Sequence, residues 1–523
     1  MSEQQAAGLG AAYAFDGPAL ELGAVLVDGT AHPSARVRVL LSMLNRHGLV
    51  AGATGTGKTK TLQLMAEQLS AAGVPAFLAD IKGDLSGVAA PGVDSERVRQ
   101  RAEQTGTDWQ PLGCPVELLS LGGLGTGAPV RATITSFGPV LLAKVLGLNA
   151  TQESSLGLVF HFADRAGLPL LDLEDLRAVI AHLLSDEGKA ELKALGGLST
   201  ATAGVILREL VGLADAGGDV FFGEPEFDTA DLLRLAPDGR GVLSVMGLAA
   251  VQDKPELFST FLLWLLADLF QDLPEVGDVD RPKLVFFFDE AHLLFDDASK
   301  AFLDAIARTV RLIRSKGVGV FFVTQTPKDV PGEVLAQLGN RVQHALRAFT
   351  PDDAKALKAT VSTFPVGDVY DLRELLTSMG IGEAAVTVLS ERGSPTPVAW
   401  TLLRPPASRM APLEPDEVAG LVTVSELARE YGTAVDRESA YELLLARVAP
   451  EPEEQQLPRW EDPQAPARRE PARREQPDGA LAAVLGSSVF RSFARSAASA
   501  AGREIGRSLF GTASRRRRAA RRR

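Results

Sequence analysis

The chain has 523 residues, of which 46% are hydrophobic and 23% charged, an ordinary composition for a soluble globular protein of two or three domains. Its single cysteine, Cys114, excludes an intramolecular disulfide framework and a cysteine-cluster metal site. No apolar run reaches the roughly 18 residues that span a bilayer. Residues 1–10 lack the layout of a secretion signal, so we expect a cytoplasmic protein.

The net charge of −12 is unevenly distributed. Residues 491–523 hold eleven arginines and one acidic residue, a local charge of +10, so the rest of the chain carries about −22. This pattern predicts an acidic body followed by a separate tail that is attracted to anions.

The first 90 residues predict a β-α-β unit behind a short N-terminal segment. Residues 1–45 are interpreted as a capping segment with one strand at 20–27. An apolar strand then leads into a glycine-rich loop, and residues 59–72 carry apolar side chains at helical spacing. A second strand is predicted at 74–79. This order predicts a parallel sheet with a right-handed crossover.

Residues 91–240 are interpreted as a mostly helical insertion between strands of a core that comprises 46–90 and 241–405. The predicted helices of the insertion cover 140–148, 155–165, 175–185 and 202–214. In the second part of the core, continuous apolar runs predict strands that are buried on both faces, at 243–246, 284–288 and 318–324. Residues 258–270 are apolar nearly all round, which predicts a buried helix.

The pattern is weaker beyond Pro405. Residues 406–449 predict a C-terminal extension with two helices, and 450–480 are rich in Pro, Glu, Gln and Arg, which predicts a linker. The last segment, 481–523, combines apolar residues at amphipathic spacing with runs of arginine.

Eight residues fit the pattern G-x-x-x-x-G-K-[ST] in full and form the phosphate loop: Gly52, Ala53, Thr54, Gly55, Thr56, Gly57, Lys58 and Thr59. Glycines let the backbone N–H groups face inward around phosphate oxygens, and the helix that follows adds its positive end. Lys58 is expected to reach the β- and γ-phosphates, and the Thr59 hydroxyl to ligate Mg²⁺. The Asn-Lys-x-Asp motif of GTP-specific proteins is absent, so the expected nucleotide is ATP.

Two acids follow the apolar strand at 284–288. Asp289 is expected to hold Mg²⁺ through water, and Glu290 to orient and deprotonate the water that attacks the nucleotide. The simpler reading is an acidic turn that ends a strand. The sequence Asp-Glu-Ala-His also matches the DEAH-box motif of two-lobed helicases, but the sequence from Pro351 onward shows no pattern that predicts a second lobe. His292 is therefore interpreted as a sensor or a packing residue.

Gln325 and Asp80 each follow a predicted strand. Gln325 is expected to lie beside the γ-phosphate and to report hydrolysis. For Asp80, a role in the catalytic site and a role as a cap of the following loop both stay open.

The predicted helix at 301–315 carries Arg308, Arg311 and Arg314 on neighbouring turns. A solvated basic face is one reading. The other is that Arg314 reaches the nucleotide of an adjacent subunit as an arginine finger, a contact that contributes roughly 10³–10⁵ in rate. Arg341 and Arg347 are the second candidates for this role.

Five segments together resemble the HerA–FtsK group of RecA-like ATPases: Asn-Arg-His-Gly at 45–48, Ala-Asp-Ile-Lys-Gly-Asp at 79–84, Phe-Asp-Glu-Ala-His at 288–292, Ile-Arg-Ser-Lys-Gly at 313–317, and Thr-Gln-Thr-Pro at 324–327. Residues 40–445 are most similar to the bacterial YjgR-type HerA-like proteins. The resemblance implies a homohexameric ring in which each nucleotide lies between subunits, with Arg314 acting in trans. It also implies a motor that moves DNA. HerA itself has an N-terminal β-barrel that docks a nuclease; the first 45 residues here leave no room for one, so we expect no such nuclease partner.

The partner of the motor stays open at this point. The arginines at 515–518 and 521–523 can contact DNA phosphates through salt-sensitive attraction. The amphipathic pattern before them is equally compatible with an anionic membrane surface, and a disordered solubilising tail is a third reading. Two functions follow: a translocase or helicase that acts on DNA, and an ATP-driven remodelling or assembly protein that acts on a protein or membrane partner.

Overall fold

A computed structural model of the chain describes residues 2–448 apart from 194–195, 216, 296–299 and 368. The predicted linker at 450–480 and tail at 481–523 lie outside the described residues. The strands are β1 (Ala19–Val27), β2 (Thr30–Leu40), β3 (Gly48–Ala51), β4 (Ala76–Asp80), β5 (Val116–Leu121), β6 (Ala128–Val130), β7 (Leu243–Gly247), β8 (Leu284–Phe288), β9 (Val318–Thr324), β10 (Asn340–Gln343), β11 (Glu383–Thr387) and β12 (Ala399–Leu403).

The helices, in chain order, are α1 (Ser2–Ala12), α2 (Lys58–Ala71), α3 (Glu96–Thr105), α4 (Ile134–Val145), α5 (Ala150–Ala166), α6 (Leu173–Leu184), α7 (Asp186–Lys193), α8 (Thr200–Asp215), α9 (Pro255–Asp272), α10 (His292–Phe295), α11 (Lys300–Ile313), α12 (Gly332–Leu335), α13 (Pro351–Val361), α14 (Leu372–Ser378), α15 (Pro415–Val424), α16 (Glu426–Tyr431) and α17 (Ala440–Val448). None of the helices within these described ranges is long and apolar enough to cross a membrane.

The strands form one sheet in the order β2-β1-β12-β11-β10-β3-β9-β8-β4-β7-β5-β6. The strands from β10 to β6 pair in parallel, whereas β11, β12, β1 and β2 pair antiparallel. The predicted parallel α/β sheet is therefore confirmed, and an antiparallel edge extends it. The carboxyl ends of β3, β9, β8 and β4 lie along one edge of the sheet, which is where ligands bind in open α/β sheets.

Helices cover both faces of the parallel strands, which explains why those strands are apolar throughout. Along β8, Phe287 points to the face that packs under α2, in a cluster with Leu62 and Met65. Phe286 points to the opposite face, in a cluster with Trp264 of α9. The side chains of both phenylalanines are fully buried. The result is a three-layer arrangement that holds the ends of the strands in fixed positions.

The interpretation of residues 91–240 as mostly helical was incomplete. Helices α4, α5, α6 and α8 correspond to the four predicted helices, but the same range also contains α3 and α7 and supplies β5 and β6 to the sheet. Two polar residues, Glu117 and Ser120, interrupt the apolar pattern of β5. Both are buried: Glu117 accepts hydrogen bonds from Arg234 and Ser425. The boundaries of the insertion and of the other proposed domains stay a prediction.

Three further differences concern a second N-terminal strand, the C-terminal helices and strand β10. A second N-terminal strand, β2, pairs with β1, and the C-terminal extension contains three helices, α15 to α17, where two were predicted. Strand β10 was missed because only Val342 among its four residues is apolar. Its position is fixed instead by Asn340, whose amide donates to the backbone carbonyls of Met43 and His47, both at 2.9 Å.

Candidate active site

The phosphate loop connects β3 to α2 and depends on its glycines. Gly52, Gly55 and Gly57 have φ values of 154°, 78° and 114°, a region that other residues rarely adopt. A Cβ atom on Gly52 would also lie 2.5 Å from the Cβ of His344. Thr54 and Gly55 are exposed at the tip of the loop. The loop therefore has the open, glycine-lined backbone that a phosphate group requires.

Neighbouring strands hold the phosphate loop in place. The N–H of Ala53 donates to the carbonyl of Ala345, which follows β10, at 2.8 Å. The N–H of Gly382, which precedes β11, donates to the carbonyl of Thr56 at 3.0 Å. The loop is thus fixed by backbone hydrogen bonds from a part of the sheet that sequence analysis did not assign to the site.

His344 is a further support that sequence analysis missed. Its ring is fully buried, and Nε2 lies 2.9 Å from the hydroxyl of Thr61 in the first turns of α2. Burial, assisted by the positive charge of Lys58, lowers the pKa of His344 to about 4. The imidazole is therefore neutral in the folded chain at neutral pH.

This pKa makes stability depend on pH. The unfolded chain protonates His344 near its ordinary pKa of about 6.5, whereas the folded chain resists protonation down to about pH 4. The contribution of neutral His344 to the free energy of unfolding is therefore fully present above pH 6.5, and it is lost as the pH falls toward 4. The free energy of unfolding, measured by urea denaturation, should decrease between pH 6.5 and pH 4. We expect this decrease to be smaller in His344→Gln than in the wild type, by about 3 kcal/mol. A pH dependence of His344→Gln equal to that of the wild type would contradict the prediction.

Lys58 is buried at the start of α2, and its ammonium donates to the carbonyl of Ala53 at 3.2 Å. Burial lowers the pKa of Lys58, and the negative charges of Glu290 and Asp289 oppose this shift. The predicted phosphate ligand and the predicted acidic pair therefore share one electrostatic environment. Thr59 is half-buried in the same turn of the helix.

Asp289 follows β8 directly and is buried. Its Oδ1 accepts the N–H of Glu290 at 2.9 Å, whereas Oδ2 is buried with no hydrogen-bond partner among the described residues. Burial, together with the charge of Glu290, raises the pKa of Asp289 to about 6. A buried carboxylate oxygen without a partner is costly unless a ligand satisfies it, and Mg²⁺ prefers oxygen ligands. Asp289 and Thr59 therefore fit a magnesium site.

Glu290 is the most constrained of the predicted catalytic residues. It has a φ of 46°, which is uncommon for a residue other than glycine and is found at functional sites. Its Oε1 accepts a hydrogen bond from Lys82. Its Oε2 is buried, has no hydrogen-bond partner among the residues that the structure describes, and lies 3.4 Å from Nδ1 of His292. Burial alone would raise the pKa of Glu290, but the hydrogen bond and charge of Lys82 hold that pKa below its ordinary value. The carboxylate is therefore ionised and able to accept a proton.

Asp80 caps the loop that follows β4. Its two carboxylate oxygens accept the N–H groups of Gly83, Asp84 and Leu85 at 2.7, 3.2 and 3.0 Å. The geometry thus favours the capping role over a catalytic one. The capped loop carries Lys82, whose contact with Glu290 the sequence analysis did not predict; the only signal was a lysine inside the segment at 79–84.

Gln325 is exposed at the carboxyl end of β9. In the sheet this strand lies between β3, which precedes the phosphate loop, and β8, which precedes the acidic pair. The N–H of Gly52 donates to the carbonyl of Thr324 at 3.2 Å. Gln325 therefore lies between the two halves of the site, where a sensor of the γ-phosphate is expected.

Arg314 lies at the opposite edge of the sheet. It begins a short 3₁₀ turn, Arg314–Lys316, before the amino end of β9, and the seven residues of that strand span about 20 Å. One guanidinium nitrogen of Arg314 lies 4.0 Å from Oδ1 of Asp278, and Arg46 approaches the same oxygen at 3.4 Å. Arg314 thus cannot reach the phosphate loop of its own chain.

The other arginine candidates are engaged elsewhere. Arg341 donates to the carbonyl of Thr363 at 3.0 Å, and Arg347 donates to that of Thr377 at 3.4 Å. Arg308 and Arg311 are exposed on α11, in agreement with a solvated face.

A glycine loop at the end of a parallel strand, with an acidic pair two strands away at the same edge, defines a P-loop nucleoside triphosphatase. The model of the helicase HerA-like C-terminal family matches residues 26–518, and the chain belongs to this family. The predicted relationship to HerA-type ATPases is therefore confirmed. No curated protein matches the chain.

Solved structures with a similar fold include the bacterial conjugative coupling protein TrwB. Its unbound form (TrwBdeltaN70) has a TM-score of 0.50 and 16% identity, over 78% of this chain and 94% of that one. TrwB in complex with ADP and Mg²⁺ also has a TM-score of 0.50 and 16% identity, over 77% and 98%. VirB4 of Thermoanaerobacter pseudethanolicus matches at a TM-score of 0.45 and 15% identity, over 74% and 97%. The likeness to TrwB shows that the fold is shared.

Proposed function

We propose that this protein hydrolyses ATP with Mg²⁺ and works as a ring-shaped motor, most simply a hexamer, that acts on DNA. Membership of a HerA-like helicase family supports the motor, and the complex of TrwB with ADP and Mg²⁺ supports the nucleotide and the metal. The observation that carries the proposal is the position of Arg314 before the amino end of β9, because the length of this strand, about 20 Å, separates it from the edge that carries the phosphate loop of its own chain.

The residues of one chain supply most of the chemistry. The N–H groups of the phosphate loop surround the phosphates. The ammonium of Lys58, which hydrogen-bonds to the carbonyl of Ala53 in the structure, hydrogen-bonds to the β- and γ-phosphate oxygens when ATP is bound. Thr59 and Asp289 would hold Mg²⁺, which would supply positive charge next to the phosphates. Glu290 accepts a proton from the attacking water through its unpaired Oε2, and Gln325 senses the γ-phosphate.

A neighbouring subunit completes the site. Arg314 is 42% exposed and shares one carboxylate, Asp278, with Arg46. Asp278 is itself 86% exposed, so the ion pairs are weak and can be exchanged for a stronger anion. In a head-to-tail ring, each amino edge that carries these arginines faces the carboxyl edge of the next subunit, which carries its phosphate loop.

The action on DNA is tested by stimulation of the ATPase. We expect that double-stranded DNA raises the ATPase rate at low salt, in a preparation shown to be hexameric, and that the stimulation falls as salt is added because DNA binding releases counterions. No stimulation at low salt would overturn the motor. Vesicles of anionic lipid are the comparison: stimulation by vesicles and not by DNA would favour the remodelling function at a membrane.

The contribution of the tail is separated by truncation at Gly479. If the arginines at 515–518 and 521–523 bind the DNA backbone, the truncated chain should lose DNA affinity while its DNA-independent ATPase rate stays unchanged. Unchanged affinity would exclude the tail as the DNA contact and would leave the described body as the binding surface.

A further inference from the structure

Lys82, in the segment at 79–84, contacts the candidate catalytic residue Glu290 directly. It lies in the loop after β4, and its ammonium hydrogen-bonds to Oε1 of Glu290. The side chain of Lys82 is 45% exposed, whereas that of Glu290 is only 8% exposed. The lysine therefore approaches a buried carboxylate from solvent.

The two oxygens of Glu290 differ in their surroundings. Oε1 is occupied by Lys82, and Oε2 is buried without a hydrogen-bond partner in the described part of the chain. The ring of His292 lies 3.4 Å from Oε2, and the carboxylate of Asp289 precedes it in the chain. Only one oxygen of the carboxylate is thus left to accept a new hydrogen.

The loop that carries Lys82 does not depend on this contact for its conformation. Asp80 already accepts the N–H groups of Gly83, Asp84 and Leu85. The contact with Glu290 is made by a long side chain that extends from a loop fixed by other means. Its effect is therefore exerted on Glu290 and not on the loop.

Lys82 follows β4, which lies on the other side of β8 from the strand that precedes the phosphate loop. The strands of this region run in the order β3-β9-β8-β4, so β4 is separated from β3 by two strands, a distance of about 14 Å at the usual spacing. Lys58, on the helix that follows β3, is the lysine next to the expected phosphates. The strand order assigns different roles to the two lysines.

We infer that Lys82 is a positioning residue, which holds Oε1 of Glu290 so that Oε2 faces the attacking water. The inference rests on the proposed hydrolysis of ATP. A carboxylate that is free to rotate about its side-chain bonds presents either oxygen in many directions, and misplacement of a catalytic group by about 1 Å can lower a rate about 10²-fold. The left-handed backbone of Glu290 fixes the Cβ direction, and Lys82 fixes the far end of the side chain.

The first test measures kcat and nucleotide affinity separately in Lys82→Met. We expect kcat for ATP to fall about 10- to 100-fold, while the affinity for a fluorescent ATP analogue stays within about twofold, because a residue that acts only through Glu290 affects the rate and not the binding of the nucleotide. Lys82→Arg keeps a donor in reach of Oε1 and should recover much of the rate. The matched control is Lys355→Met, which removes an exposed lysine–carboxylate pair with Asp352 and should change neither quantity.

The second test is a double-mutant cycle. In a Glu290→Gln background, Lys82→Met should cause no further loss of rate, because Lys82 acts only through Glu290. An additional loss, or a weaker nucleotide affinity, would overturn the inference and assign Lys82 to the phosphates. A wild-type or higher rate in the single Lys82→Met variant would also overturn it, the higher rate indicating a latch that restrains Glu290.

Failure of the inference is distinguishable from failure of the proposed function. If Glu290→Gln hydrolyses ATP at the wild-type rate, the proposed role of Glu290 fails. If Glu290→Gln is slow and Lys82→Met is not, only the inference about Lys82 fails.

Discussion

Glu290→Gln is expected to bind ATP as the wild type does and to hydrolyse it at least about 10²-fold more slowly. The amide has almost the same shape as the carboxylate, so the left-handed backbone at this position and the nearby phosphate loop should be unchanged. The amide cannot accept a proton from water at neutral pH. The loss should therefore appear in kcat and not in nucleotide affinity.

The measurement pairs steady-state phosphate release with equilibrium binding of a fluorescent ATP analogue. Glu430 is exposed on α16, and Glu430→Gln makes the same chemical change away from the site, so it should behave as the wild type. A Glu290→Gln variant that loses affinity would indicate that the carboxylate organises the nucleotide site. One that retains its rate would show that another group accepts the proton.

Arg314→Ala is expected to lower the ATPase rate by about 10³-fold or more, which is the usual contribution of an arginine finger. Mixing with subunits of a second inactive variant should restore activity. Lys58→Ala should abolish nucleotide binding in its own subunit but leave its Arg314 intact. In a ring that contains both variants, a Lys58→Ala subunit can offer Arg314 to the intact phosphate loop of an Arg314→Ala neighbour. Activity should therefore reappear on mixing.

The mixing experiment requires that subunits exchange, which is checked by separating rings that carry two different affinity tags. Arg308→Ala is the matched control, because Arg308 is an exposed arginine of α11, and this variant should be active on its own. If mixed rings isolated through both tags stay inactive, Arg314 does not act between subunits. The distance across β9 would then require another role for it, such as assembly of the ring.

The parts of the site that sequence predicted are those with local patterns. The phosphate loop is a continuous motif, and β8 and β9 are apolar throughout because helices cover both faces of the sheet. The structure of such segments can be predicted from their local sequence. Asp289 and Glu290 directly follow a predicted parallel strand. Because the carboxyl ends of parallel strands lie at one edge of a sheet, both acids lie at the edge that carries the phosphate loop.

The parts that sequence did not predict depend on contacts between distant segments. His344 meets Thr61 across 283 positions, and Lys82 meets Glu290 across 208. His344 has no neighbours that form a pattern, and the segment at 79–84 marks Lys82 without indicating its partner, so the single sequence did not predict either pairing. Strand β10 shows the same limit, since the side chain of Asn340 supports it where apolar periodicity does not.

The antiparallel edge of the sheet has a consequence for biosynthesis. Gly23 of β1 pairs with Leu403 of β12, so the first strand pairs with a partner that is synthesised 380 residues later. At about 5–20 residues per second, the N-terminal hairpin waits for tens of seconds on the ribosome with an open hydrogen-bonding edge. A nascent chain that stops short of β12 keeps that edge exposed, and an exposed strand edge can pair with other chains. Protection of this edge therefore begins only after residues 399–403 have been synthesised.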